Sequence, residues 1–300
     1  MATIEVKNLT KSYSFNKGIF DVDFKVEKGE AVGFLGPNGA GKSTTMRHLM
    51  GFSNPDSGYC LINGHDCLKE YTLTKEDIGY LPGEPTLPSG LNGYMFVKMM
   101  EGLRHQKNEE RVKYLCDKFE LDLSQEIKRM SIGERRKLAI VTAFMSDPKV
   151  LLLDEPTSGL DPRMQEIFID FIEEEKRRGK TILLSSHIFR EVERLCDKIM
   201  IIKEGRLVAK VNKDDIKDEL KRRLTINFKN KEEYDRFHKE EKITIINSLA
   251  KTLEVTIIVD DMDYVIKKIA EYQVTNIVES TITLEDYFMN FYRKDGESYV

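Results

Sequence analysis

Gly36-Pro37-Asn38-Gly39-Ala40-Gly41-Lys42-Ser43 fits the phosphate-loop spacing Gly-x4-Gly-Lys-Ser/Thr without a gap. The flanks agree with it. Ala31-Val32-Gly33-Phe34-Leu35 predicts a short buried strand. Ser43 to Met50 predicts a helix with Met46, Leu49 and Met50 on one face. Glycines let successive backbone N–H groups turn into one concavity, and the helix N-terminus adds its positive dipole end. Lys42 is then placed to reach terminal phosphates and the Ser43 hydroxyl to ligate Mg²⁺. A glycine-rich turn that merely carries a lysine does not require strand, loop and helix in this order.

Composition sets the outer limits. The 300 residues predict two domains, one large and one small. One third of the chain is charged and 40% is hydrophobic, with a net charge of −4. Such a balance provides no basic stripe, so nucleic acid is not an expected partner. No apolar run nears the roughly 20 residues that cross a bilayer. Met1-Ala2-Thr3-Ile4-Glu5 lacks the character of a secretory signal. Cys60, Cys67, Cys116 and Cys196 form no CxxC pair. Cys60, His65, Asp66 and Cys67 have the wrong spacing for zinc, and Asn63-Gly64 between them predicts a hairpin turn. Reduced thiols and no metal are expected there.

A phosphate loop leaves the reaction open, and Val150-Leu151-Leu152-Leu153-Asp154-Glu155 narrows it. Four aliphatic residues in a row predict a strand buried on both faces, as in a parallel α/β sheet. Such a strand delivers its acids to the C-terminal edge of the sheet, where ligands bind. Asp154 is expected to hold Mg²⁺. Glu155, pointing the other way by strand alternation, is expected to act as general base on the attacking water.

With these residues the chain resembles the ATP-binding subunit of an ABC (ATP-binding cassette) transporter, from about Ile4 to Val208. Met130-Ser131-Ile132-Gly133-Glu134 stands where the family has its LSGGQ signature, Ser158-Gly159-Leu160-Asp161 matches the D-loop, and Ser185-Ser186-His187 matches the switch histidine. The resemblance implies a P-loop α/β fold with an inserted helical subdomain at about 86–147 and an ATPase domain over 1–212. It implies ATP and Mg²⁺ as ligands. Nucleotide contacts are expected from Tyr13, Gly36, Pro37, Asn38, Gly39, Ala40, Gly41, Lys42, Ser43 and Thr44. Tyr13 would stack on adenine, and Phe15 is near enough to substitute. Ser43 and Asp154 would ligate metal, and Glu155 with His187 would be catalytic. Ser131, Ile132, Gly133 and Glu134 would reach the γ-phosphate bound by a second subunit, so the chain must pair with a copy of itself or a paralogous ATPase. His48, His65, His105 and His238 are expected to be structural. Met164, Ile167, Phe168, Phe171 and Ile172, after Asp161-Pro162, form a helical core stripe.

The pattern departs from the family in two places. Gly83 occupies the position of the Q-loop glutamine, followed by Glu84, so coupling to a membrane partner loses one side chain. Ile132 and Glu134 replace glycine and glutamine in the signature, a relaxation similar to the branch exporting drugs, lipids or polysaccharides. Thr86 to Lys128 predicts helices with an apolar, Met-rich patch of Tyr94, Phe96, Val97, Met99, Met100 and Leu103. Methionines suit an irregular docking surface, and in the family this region receives a short helix from the permease, while core packing of the subdomain explains some of these residues equally well.

Beyond Val211, over 213–300, a charged helix from Asp214 to Arg223 is predicted, then β-α-β-β-α-β. The segments are Leu224/Ile226/Phe228, Lys231–Glu241, Ile243–Ile246, Leu253–Val259, a Met262/Val265/Ile266/Ile269/Ala270 stripe, and Val274–Val278. That order is ferredoxin-like. A last helix carries Leu284, Tyr287, Phe288, Phe291 and Tyr292. The region holds no catalytic constellation, so dimerisation, regulation or ligand sensing is its expected work. The leading functional expectation is an ATP-hydrolysing subunit that powers a separate transmembrane exporter, cytoplasmic and peripheral on the inner face of the membrane through that permease. A soluble regulatory ATP switch is the alternative, although such proteins usually carry two cassettes. The signature and D-loop exclude a small-molecule kinase.

Overall fold

The computed structural model describes residues 2–14, 17–213, 222–240, 243–259, 261–281, 284–285 and 288. They divide into two compact units, 1–213 and 214–300. In the first unit, β1 (Ala2–Ser14), β2 (Lys17–Glu27), β4 (Ser57–Ile62) and β5 (His65–Asp66) form an antiparallel sheet in the order β2-β1-β4-β5. The central sheet contains β3 (Ala31–Leu35), β6 (Ile78–Leu81), β7 (Val150–Asp154), β8 (Thr181–Ser186), β9 (Lys198–Lys203) and β10 (Arg206–Asn212), ordered β10-β9-β3-β8-β7-β6. All neighbours are parallel except β10 on β9. Every residue of β3, β7 and β8 is buried, which is why they read as apolar runs interrupted only by polar residues at strand ends rather than as alternations.

Register decides where the chemistry falls. Leu35 pairs with Ser186 and Asp154 pairs with Ser185. The phosphate loop, the two acids and His187 therefore leave the sheet at one edge. Helix α1 (Lys42–Leu49) follows β3 and buries Met46 and Leu49. After α2 (Tyr71–Glu76), the helical region comprises α3 (Gly93–Arg104), α4 (Glu109–Phe119) and α5 (Ile132–Phe144). Asn92 and Asn108 cap α3 and α4 by accepting from the N–H groups of Met95 and Arg111. Phe119 of α4 and Phe144 of α5 pack against Phe168 and Phe171 of α6 (Pro162–Arg177), with ring centroids 4.8–6.5 Å apart. These rings fix the helical layer to the core. Ile167 is only half-buried, while the rest of the predicted α6 stripe is core. Along α3, Phe96 and Val97 are core, Met100 is half-buried, and Tyr94, Met95, Met99 and Leu103 are exposed. Helix α7 (Phe189–Leu195) follows β8.

In the second unit, β11 (Arg222–Phe228), α8 (Lys231–Phe237), β12 (Thr244–Leu249), β13 (Glu254–Val259), α9 (Met262–Ile269) and β14 (Val274–Thr281) follow in that order. The sheet is antiparallel, ordered β12-β13-β11-β14. Leu224, Ile226, Phe228, Val255, Ile257 and Val259 point into a core with Tyr234, Phe237, Val265 and Ile269. Two expectations need correction. Arg222 and Arg223 belong to β11 rather than to a preceding helix, because a run of charges has no period to mark where a strand begins. Ile266 and Ala270 of the predicted stripe are exposed; Val265 and Ile269 close α9 on the sheet, with Met262 packed against the same core. Residues 214–221 of the predicted charged helix, and Tyr287, Phe291 and Tyr292 of the predicted last helix, lie outside the described residues.

Candidate active site

A cleft of about 630 Å³ opens at the C-terminal edge of the central sheet. From the predicted set, Asn38, Gly39, Gly41, Lys42, Ser43, Thr44, Gly83, Glu84, Asp154, Glu155 and Ser158 line it, joined by Arg47, Tyr80 and Pro82. Gly36 and Gly41 cannot carry a side chain. A Cβ on Gly36 would sit 2.6 Å from the Ile202 carbonyl oxygen, and one on Gly41, at φ +112°, 2.6 Å from Ile19 Cγ2. Close approach of β9 and β2 thus dictates these two glycines.

Lys42 is only 4% exposed. Its ammonium donates to the carbonyls of Gly36 (2.7 Å) and Pro37 (3.2 Å) and stands 3.4 Å from Glu155 Oε1. Pro37 and Ala40 shape the loop through the Ala40 N–H to the Pro37 carbonyl, 3.2 Å. Ser185 donates its hydroxyl to Asp154 Oδ1, while Oδ2 faces Gly83, where a Cβ would lie 3.6 Å away. The Ser43 hydroxyl and the Asp154 carboxylate are hard oxygen donors on one cleft, the kind Mg²⁺ takes together with phosphate and water.

Glu155 departs from the alternation expected of it. Strand β7 ends at Asp154, and Glu155 takes φ +43°, a left-handed turn uncommon for a residue with a side chain. Its N–H donates to the Ser185 carbonyl at 2.9 Å, and its carbonyl accepts from the Ser158 N–H at 3.1 Å. The turn brings Glu155 Oε2 to 3.4 Å from Nδ1 of His187. Lysine, glutamate and histidine thus meet at one point, geometry suited to orienting a water against a terminal phosphate.

The signature residues lie outside this cleft's lining. Ser131 is the N-cap of α5 in a reciprocal capping box: its hydroxyl accepts the Glu134 N–H at 3.2 Å, and Glu134 Oε2 accepts the Ser131 N–H at 2.8 Å. That bond from the Ser131 N–H holds the Glu134 carboxyl below its ordinary pKa. Glu134 therefore spends its charge on the helix end. Ile132 is 69% exposed. A Cβ on Gly133 would lie 3.5 Å from the Gly159 carbonyl, so signature and D-loop abut within one chain. Asp161 caps α6 through the Met164 N–H, and Leu160 is buried. Tyr13 is 59% exposed on β1 and does not line the cleft; Phe15 lies outside the described residues. The Cys60, His65, Asp66 and Cys67 neighbourhood forms no metal-holding group among the described residues.

Sequence reading missed two buried groups here. Arg136 is 1% exposed, and all five of its N–H donors end on carbonyls beneath the cleft. Burial pushes its pKa down to about 10. Glu191 accepts the hydroxyls of Thr157 and Ser186 and is raised by burial. A signal for Arg136 existed: it shares a helical face with Ala139, Ile140 and Ala143, all buried.

Comparison with known proteins agrees with this geometry. Residues 19–158 match the family model described as ABC transporter. The ABC transporter ATP-binding protein YhcH of Bacillus subtilis is 34% identical, over 95% of this chain and 94% of its own length. The linearmycin resistance ATP-binding protein LnrL of Bacillus subtilis is 35% identical over 71% of this chain and 70% of its own length. Nod factor export ATP-binding protein I of Rhizobium etli is 32% identical over 73% and 71%. A solved ATP-binding subunit of an ABC transporter superposes with a TM-score of 0.67 at 34% identity, over 72% of this chain and 92% of that one. Fold, phosphate loop, paired acids and relatives agree, and the chain belongs to the ATP-hydrolysing, ATP-binding subunits of ABC transporters.

Proposed function

We propose that this subunit drives export: it binds MgATP, pairs with a second copy of itself or a paralogous ATPase, and powers a multi-span permease from the cytoplasmic face of the membrane. One observation carries this reading. The phosphate loop, Asp154, Glu155 and His187 meet at one sheet edge, while Ser131 and Gly133 stand at the N-terminal end of α5, outside the lining of the cleft. The positive end of a helix favours anions, and a second chain can present it to the γ-phosphate. Two chains facing each other then complete two sites. The relatives named for export and resistance support the direction.

Within the site, the phosphate-loop N–H groups and Lys42 hold the phosphates, with Tyr13 as the adenine platform. Ser43 and Asp154 hold Mg²⁺, which supplies charge neutralisation at the phosphates. Glu155 takes a proton from the attacking water, and His187, with Nδ1 3.4 Å from Glu155 Oε2, fixes the water and γ-phosphate geometry. Gly83 adds no side chain, and Glu84 is the nearest carboxylate of that loop in the cleft.

Among the described residues no helix is long and apolar enough to cross a membrane; the permease partner would hold the chain there. A groove of about 430 Å³ lined by Met50, Phe52, Tyr71, Ile78, Leu103 and Arg104, beside the exposed apolar residues of α3, suits a short permease helix. Co-purification from detergent-solubilised membranes should recover the chain with a multi-span protein. Recovery only in a ribosome-bound or freely soluble pool would favour the regulatory switch instead.

The second unit, 214–300, is read as a ferredoxin-like accessory domain for dimerisation or regulation, separable from ATP chemistry. Its apolar faces close on one another. Cutting after Lys213, whose N–H still donates to the Asp197 carbonyl at 2.8 Å, should change ATP affinity by only a few-fold, below about 1 kcal/mol. Titration calorimetry checks this. A soluble truncated chain without ATP binding would join the tail to the site.

A further inference from the structure

We propose that Arg136 is a positioning residue that locks Pro82-Gly83 onto Asp154-Glu155-Pro156 and so holds the Glu155 carboxylate in its hydrolytic place. The inference rests on the ATPase reading above and concerns a side chain that touches no nucleotide-binding residue of the phosphate loop.

The geometry is unusually complete. Nε donates to the Pro156 carbonyl at 2.9 Å. Nη1 donates to the carbonyls of Pro82 and Gly83, and Nη2 to those of Asp154 and Glu155. A guanidinium has five N–H donors, and all five are used. No carboxylate is among the partners, although Asp154, Glu155 and Glu191 supply the compensating field. Lysine, with three donors on a rotatable point charge, cannot reproduce this fork.

Two consequences follow from which carbonyls are bound. Glu155 sits at φ +43°, a conformation that persists only where the surroundings impose it. Arg136 and the Ser158 N–H share its carbonyl and fix the plane that follows the turn. Without Arg136, the turn keeps its bonds to Ser185 and Ser158, but Glu155 loses the restraint from α5 that opposes relaxation toward ordinary φ, a shift that would move its carboxylate away from Lys42 and His187. The Gly83 loop, in turn, has no side chain with which to reach the site, and Arg136 ties it to β7 through the backbone instead. Because Arg136 lies in the helix that Ser131 caps, the same side chain connects the signature end of one chain to that chain's own general base.

The test uses the full chain with Arg136→Met and Arg136→Lys. For Arg136→Met, kcat should fall on the order of 10–100-fold, the usual effect of removing a group that orients ligands from behind, with KM and MgATP affinity within a few-fold of wild type. Arg136→Lys should recover part of the loss. On a Glu155→Gln background, Arg136→Met should cost nothing further, because a residue acting through Glu155 has nothing left to position. General destabilisation would lower both backgrounds alike. If Arg136→Met does not fold, Arg136→Lys carries the test, and a folded lysine variant with wild-type kcat overturns the proposal. A folded methionine variant at wild-type kcat, or a multiplied loss on the Glu155→Gln background, overturns it as well. Absence of ATPase activity in the wild-type chain would instead overturn the underlying reading.

Discussion

Glu155→Gln is expected to slow ATP hydrolysis by about 10²–10⁴-fold, the usual contribution of a positioned general base, while MgATP still binds. Glutamine matches glutamate in shape and keeps the backbone turn, so Asp154, Ser185 and the Arg136 network remain in place. It cannot accept the water's proton. Glu155 Oε1 stands 3.4 Å from the Lys42 ammonium, and a neutral side chain there removes a negative charge from beside the phosphates. Nucleotide affinity should therefore stay level or rise. Steady-state phosphate release and calorimetric titration, run on one preparation, check both halves. A Glu155→Gln chain turning over within about tenfold of wild type, short of the loss a general base accounts for, would assign the base elsewhere.

Ser131→Arg should abolish hydrolysis without weakening ATP binding to the isolated chain, and Lys42→Ala should abolish binding itself. The two variants differ because Lys42 is buried inside the cleft while Ser131 caps a helix outside its lining. A long cation at the N-cap removes the hydroxyl that accepts the Glu134 N–H and sets a positive charge against the positive helix end. Mixed in equal amounts, the two variants should recover turnover. In a mixed pair, one site combines the intact phosphate loop of one chain with the intact Ser131 of the other. If turnover is absent while crosslinking shows mixed pairs, the sites fire only together; restored turnover without pairing would contradict assignment of Ser131 across the dimer.

The centre of the fold was legible because buried parallel strands are written plainly. Ala31–Leu35 and Val150–Leu153 are apolar at every position, and both are strands buried throughout. Short alternating strands of the second unit, such as Leu224 to Phe228, were legible by period two, since one face meets the core. What escaped reading had a physical reason. Glu155 turns just past the strand end, where alternation no longer applies. Arg136 stands in an Arg-Arg-Lys run, and charge runs normally mark a solvated face. Only its helical register with Ala139, Ile140 and Ala143 hinted at burial. Ser131 and Glu134 were legible as a signature but not as a capping box, a reciprocal pair that spends Glu134 on the helix end.

The central claim is that two chains close face to face on ATP. Light scattering of the Glu155→Gln chain at saturating MgATP, in parallel with the nucleotide-free protein, tests it directly. A shift on ATP addition to twice the 34.8 kDa chain mass, reversed when Ser131→Arg is added to the same chain, is the predicted result. A mass of one chain at saturating MgATP, with binding shown by titration, would contradict it.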